Sequence, residues 1–360
     1  MTDQLNPFQV TMSRRGVLGL GLATTAGLAL AACGGSSTNS ASGDAATGSL
    51  GELKYGFSWL YDVTQAGSYI ADTKGYYQNV GFTSVTFIPG GPSAVSVLTQ
   101  LANGTAQFGV SSPTEIAGAN ANGASFRIIG AMYQEDPRCI VSLSGKPLKT
   151  PADLTGKTIA VADADKPFMQ AFLGVNGLKP SDVTIVPFQY DPAPLVAGQV
   201  DGILDYSTNS PISLRQSGHD PVVLMFADFN WSTVTQTYVA STDQISGSAG
   251  LLKAALRADI MGWRDNIANP EEGASLAVDK YGKSLKFTLD NQLACNEAEI
   301  ALMKTADTAT NGIFTVSDAL QQATVKTLAL SGVHTTAADL FDLSLLAAVY
   351  QEHPELKMVS

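Results

Sequence analysis

Beyond Leu53, the hydrophobic and polar positions switch repeatedly between two periods. Short runs rich in β-branched and aromatic residues (LKYGFSW, SVTFIPG, TAQFGV, SFRIIGAMY and RCIVSL) predict strands. Between them, residues 64–78 and 92–102 carry helical spacing. Ser111-Ser112-Pro113-Thr114 offers cap residues and an early proline for a further helix. The pattern restarts at Thr150-Pro151-Ala152-Asp153-Leu154. There KTIAVA, DVTIVPF, DGILDY, PVVLMF and TQTYVAS read as strands, with helices over 166–175, 192–198 and 210–217. From Gly250 the chain reads as helical almost to its end. Repeated β-α alternation predicts an α/β protein with parallel-rich sheets flanked by helices and a helical C-terminal segment. Two such blocks predict two domains, with ligand bound beyond the C-terminal strand ends in a cleft that closes by a hinge.

The start of the chain follows another rule. Residues 16–32 carry no charge and follow Arg14-Arg15. A basic start, an apolar run and small residues before a cut site predict a signal peptide over 1–32. Ser-Arg-Arg-Gly-Val-Leu resembles a twin-arginine export signal, and Leu30-Ala31-Ala32-Cys33 resembles a bacterial lipobox. Cys33 is then the lipidated N-terminus of the mature protein, and the small polar residues of 33–50 are a tether. A membrane-spanning anchor is the competing reading of the apolar run.

Composition narrows the function. Net charge is −11, and loss of Arg14, Arg15 and Asp3 with the signal takes it to −12. Such a chain is repelled by nucleic-acid phosphates, so no nucleic-acid partner is expected. Cys139 and Cys295 read as two separate buried thiols. No metal-ligand spacing occurs, so neither a metal site nor a cofactor is expected.

Several stretches carry a family resemblance. These are Trp59, Gln65-Ala66-Gly67, Lys74-Gly75-Tyr76-Tyr77, the run Leu101 to Val110, GAMYQEDP over 130–137, Leu154-Thr155-Gly156-Lys157, and Gly198 to Gly202 with Tyr206 and Asn209-Ser210-Pro211-Ile212. In order and spacing the chain from about 53 to 350 resembles the substrate-binding lipoproteins of ABC transporters. Within them it is similar to the branch that binds nitrate, sulfonates, taurine and thiamine pyrimidine precursors. The resemblance implies a type II periplasmic-binding-protein-like clamshell, with lobe I over 51–145 plus 236–360 and lobe II over 146–235. It also implies a monomeric, exported, membrane-anchored receptor that passes a small solute to a permease and its ATPase. Pyrimidine-precursor binders usually carry a glutamate where Ser210 stands and often a histidine where Gln65 stands, which weakens that ligand assignment.

Candidate ligand-binding residues follow from strand ends and helix starts. Trp59 supplies an indole wall and Gln65 an amide. Ser111, Ser112 and Thr114 cluster at a helix N-terminus suited to an acceptor or an anion. Tyr133 and Gln134 end a strand, as do Asp163 and Asp165 in the second block. Asp205, Tyr206 and Asn209 follow DGILDY, and Tyr190 and Trp231 are weaker loop candidates. The set holds aromatic and amide groups but no basic residue, with Lys166 the only nearby cation. This favours a planar, neutral, hydrogen-bonding molecule over a nitrate- or sulfonate-type anion. A pyrimidine-synthase-like enzyme is disfavoured, because no lysine or histidine stands near Ser111 and Glu115.

Overall fold

The computed structural model describes residues 49–358. The expected signal peptide over 1–32, the lipidated Cys33 and nearly all of the tether lie outside the described residues. Among the described residues, no helix is long and apolar enough to cross a membrane.

Two five-stranded sheets form the frame. The first contains β1 (Glu52–Gly56), β2 (Ser84–Ile88), β3 (Phe108–Ser111), β4 (Phe126–Tyr133) and β10 (Thr235–Ser241), in the order β2-β1-β3-β10-β4. The second contains β5 (Arg138–Leu143), β6 (Thr158–Val161), β7 (Thr184–Pro187), β8 (Gly202–Tyr206) and β9 (Pro221–Met225), in the order β7-β6-β8-β5-β9. Both sheets are mixed. β1 runs parallel to β2 and β3, and β6 runs parallel to β7 and β8. β10 is antiparallel to β3 and β4, and β5 is antiparallel to β8 and β9.

This topology moves one expected boundary. The run RCIVSL is β5, which pairs with β8 and β9 in the second sheet. The chain therefore crosses between the sheets at residues 134–137, rather than after 145. It returns between β9 and β10, so the first lobe regains its fourth strand in the sheet order from the far end of the second.

Period-two alternation places a core on each face of each sheet. In β5, Ile140 packs with Ile159, Val161 and Leu204, while Cys139 and Val141 pack on the opposite face with Ala160 and Ile203. Cys139 and Cys295 are both free and buried. In the first lobe, the 20-residue helix Ala249–Ala268 lies against Ala66–Thr73. A Cβ on Gly67 would stand 2.2 Å from Trp263, and one on Gly262 would stand 2.1 Å from the Gly67 carbonyl. Those glycines let the two helices approach closely.

Two predicted helices are shortened for local reasons. The helix expected over 64–78 breaks at Gly75, whose φ of 72° places it in the left-handed region. The one expected over 92–102 starts only at Val97, where the Ser96 hydroxyl accepts from the Thr99 N–H.

Candidate ligand-binding cleft

The parallel strands of each sheet end at a common cleft, and the antiparallel β5 and β10 begin there. The first lobe contributes Ser58 and Trp59 after β1, Ser111 and Ser112 at the end of β3, and Thr235 and Gln236 at the start of β10. The second contributes Arg138 at the start of β5, Ala164 and Asp165 after β6, Tyr190 after β7, and Asp205, Tyr206 and Asn209 around the end of β8. Thr64, Glu115 and Phe168 complete the lining of a cavity of about 170 Å³.

Aromatic surfaces meet across it. Trp59 and Tyr190, one from each lobe, approach edge-on with ring centroids 5.1 Å apart. Tyr190 and Gln236 both hold non-glycine residues at positive φ, 60° and 50°. Such backbone costs energy and persists only where neighbours enforce it, a feature that concentrates at ligand clamps. The Gln236 side chain is held by the Ser58 hydroxyl, which donates to Oε1 at 2.7 Å.

The helix Pro113–Ala121 opens at the cleft with a reciprocal cap. Ser112 Oγ accepts from the Glu115 N–H at 3.3 Å. Glu115 Oε2 in turn accepts from the Ser112 N–H at 3.2 Å and from Ser111 Oγ at 2.7 Å. A serine followed three residues later by glutamate is the sequence mark of this box.

Across the cleft, Arg138 is only 5% exposed. Its Nη1 donates to both Asp136 oxygens at 2.8 and 3.0 Å, and its Nε lies 3.5 Å from Asp165 Oδ1. The guanidinium lies 3.7 Å from the Phe168 ring centre and 5.4 Å from that of Tyr206. Burial alone would push Arg138 down, but Asp136, Tyr206 and Asp165 outweigh it and hold the cation firmly protonated. Asp205 is pushed up to about 6 by burial, against hydrogen bonds from Ser210 and the Tyr206 N–H that favour its ionised form. Ser210, which stands where a glutamate is usual in pyrimidine-precursor binders, thus serves as a donor that fixes Asp205.

The cleft brings together seven of the expected residues: Trp59, Ser111, Ser112, Asp165, Asp205, Tyr206 and Asn209, with the weaker candidate Tyr190. Five others, and the weaker candidate Trp231, lie elsewhere. Tyr133 turns its ring into the first lobe's core, fully buried beside Glu299. Gln134 sits in the crossover and donates to the Ala131 carbonyl at 3.2 Å. Gln65 is fully buried behind the wall, next to Thr64. Thr114 is on the capped helix but off the lining. Asp163 is exposed and pairs with Lys166 at 2.6 Å. Trp231 is a core residue whose Nε1 donates to Asp136 Oδ2 at 2.9 Å.

The expectation that the site holds no basic residue is corrected by Arg138. Glu115 was legible from the capping-box spacing. Arg138, Thr235 and Gln236 carried no local signal, because they reach the cleft only through the reversed direction of their strands.

Residues 63–273, more than half of the chain, match the family model described as NMT1/THI5 like. The chain belongs to that family. It is 24% identical over 233 residues to the riboflavin-binding protein RibY of Chloroflexus aurantiacus, a match covering 64% of this chain and 66% of that protein. It is 27% identical over 150 residues to the 4-amino-5-hydroxymethyl-2-methylpyrimidine phosphate synthase of Schizosaccharomyces pombe, covering 41% of this chain and 43% of the synthase. The chain thus spans just under two thirds of the first relative and less than half of the second. Among solved structures, it resembles the periplasmic aliphatic sulphonate-binding protein SsuA of Escherichia coli, with a TM-score of 0.60 at 18% identity over 78% of this chain and 86% of that one. That likeness establishes the periplasmic-binding-protein fold.

Proposed function

We propose that this protein is the extracytoplasmic solute receptor of an ABC importer. In this reading it is exported, anchored to the membrane through Cys33, and closes on a planar heteroaromatic solute that it delivers unaltered to a permease and its ATPase. A thiamine pyrimidine precursor or a flavin has the required shape. The observation that carries the reading is the meeting of Trp59 and Tyr190 from opposite lobes over a cleft that Tyr206 and Phe168 also line. Aromatic rings arranged this way bury the faces of a flat ligand, while hydroxyl, amide and carboxylate groups between them fix its edge. The relative named for riboflavin binding supports the same ligand class.

The relative named as a synthase raises an enzymatic alternative. A Schiff base needs an amine, and no lysine lines the cleft among the described residues. Binding without turnover is therefore the reading adopted.

The test is a thermal-shift and calorimetric panel on the purified protein. It contains riboflavin, hydroxymethylpyrimidines, nucleobases, taurine, nitrate and pyridoxal phosphate. A heteroaromatic solute at 100 times its Kd should stabilise the fold by about 2.7 kcal/mol. Stabilisation by taurine or nitrate alone would replace this reading with an anion receptor. A Schiff-base absorbance band with pyridoxal phosphate would reopen the enzymatic one.

A further inference from the structure

We infer that Glu115 is the specificity-determining residue of the cleft, admitting a ligand with an N–H group and rejecting oxyanions. This rests on the reading of the cleft as the ligand site and goes beyond it, because it assigns the choice of ligand charge to one side chain.

Two features of the cleft would ordinarily attract an oxyanion. One is the N-terminus of the nine-residue helix Pro113–Ala121, whose first N–H groups and dipole favour negative charge. The other is the Arg138 guanidinium, whose fork matches carboxylate and sulfonate oxygens. Each already holds an anion from the chain itself. At the helix start, Glu115 Oε2 takes the Ser112 N–H at 3.2 Å and the hydroxyls of Ser111 and Ser112 at 2.7 and 3.2 Å. These are the groups that an incoming sulfonate would need. Arg138 gives Nη1 to Asp136 and turns Nε toward Asp165, with its plane against Phe168.

One buried cation is therefore already paired with Asp136 and Asp165, and Glu115 adds a third carboxylate to the same cleft, within electrostatic reach of Asp165. An oxyanion entering the cleft meets a surplus of carboxylates at short range. The donors converge on Glu115 Oε2, and among the described residues none donates to Oε1. Because Glu115 lines the cleft, Oε1 is left as a charged acceptor for an N–H of the ligand. An amino group on a heterocycle, or a ring imide, is the chemistry that fits. A charge-assisted bond of this kind favours a ligand that carries the donor over an analogue that lacks it.

Glu115→Gln tests this without removing the cap, because glutamine also serves at that position of a capping box. The full-length protein and the variant are titrated with methanesulfonate, nitrate and the best heteroaromatic solute of the panel. The expected result is at least a tenfold gain in methanesulfonate affinity and at least a tenfold loss for the N–H-bearing heterocycle. Asp165→Asn, at a second carboxylate on Arg138, should gain methanesulfonate affinity by a smaller factor. Asp163→Asn, at an exposed carboxylate paired with Lys166, should change neither ligand. A folded Glu115→Gln protein with unaltered methanesulfonate and heterocycle affinities overturns the inference. So does a wild-type protein that binds methanesulfonate as tightly as the variant. If the wild type binds no heterocycle, the ligand class of the proposed function fails, and the change in anion affinity still decides the role of Glu115.

Discussion

Asp259 and Arg138 are both buried charges ringed by aromatic side chains, and they solve the cost of burial in opposite ways. Asp259 sits in the first lobe's interior with no exposed surface. It accepts from the hydroxyls of Tyr55 at 2.8 Å and Tyr238 at 2.9 Å, from Tyr77, and more weakly from Ser68 at 3.3 Å. Those donors come from two strands and two helices, so the carboxyl ties four elements together and has no path to ligand. Arg138 instead is the first residue of the interior strand β5, at the cleft end of the second sheet, and its partners Asp136 and Asp165 lie in the segments that border the cleft. Satisfying a buried charge inside a core yields stability and a unique packing. Satisfying one at a cleft wall presets the charge that a ligand will meet.

The contrast breaks most readily at Asp259. Asp259→Ala strands three buried tyrosine hydroxyls and should cost about 4 kcal/mol, read by urea unfolding. The ligand affinity of the folded fraction should stay unchanged. A cost below about 1 kcal/mol would mean that the cluster does not tie the lobe together.

The next effect is in pH. Burial pushes Asp259 up to about 6, and the four hydroxyl donors only partly oppose that rise. The folded state then binds more protons than the unfolded chain between about pH 4 and 6. This group's contribution to stability falls as pH rises through that window and is level above it. The full change is on the order of 3 kcal/mol. Asp259→Asn removes the titrating group, so its stability-pH curve should be flatter than the wild type's in that window. Parallel curves would contradict the raised value.

The smallest of the three effects sharpens the contrast from the cleft side. Trp59 is half-buried, so Trp59→Ala should leave the melting temperature of the free protein nearly unchanged. Affinity for a planar solute should fall at least tenfold, about 1.4 kcal/mol, by calorimetry. A free protein that unfolds instead would make Trp59 a core residue like Trp263.

Much of the frame was legible in the sequence. The alternation of periods located the strands, and the rule that ligands sit at C-terminal strand ends pointed to Trp59, Ser111, Asp165, Asp205 and Tyr206. Where that rule failed, side-chain direction was the reason. Tyr133 ends its strand at the correct edge, yet its ring enters the core. Arg138, Thr235 and Gln236 begin strands, and a strand's first residue reaches the cleft only if the strand runs backwards relative to its neighbours. Nothing local in RCIVSL or TQTYVAS records that direction. The same limit hid the true crossover at 134–137, because an apolar run fits either sheet equally well.

The sequence by itself determined what a few neighbouring residues can settle: which segments extend or coil, where Ser112 and Glu115 cap a helix, and where Gly75 ends one. Those outcomes depend on hydrogen bonds and sterics within about one turn of chain. Tertiary structure alone decided the direction of β5 and β10, the burial of Gln65 and Tyr133, and the pairing of the Arg138 cation with Asp136 and Asp165. Arg138 meets Asp165 across 27 residues of sequence, and Tyr55 meets Asp259 across 204. The charge and solvation of such groups are set by whatever the folded chain brings beside them, and no local pattern encodes that encounter.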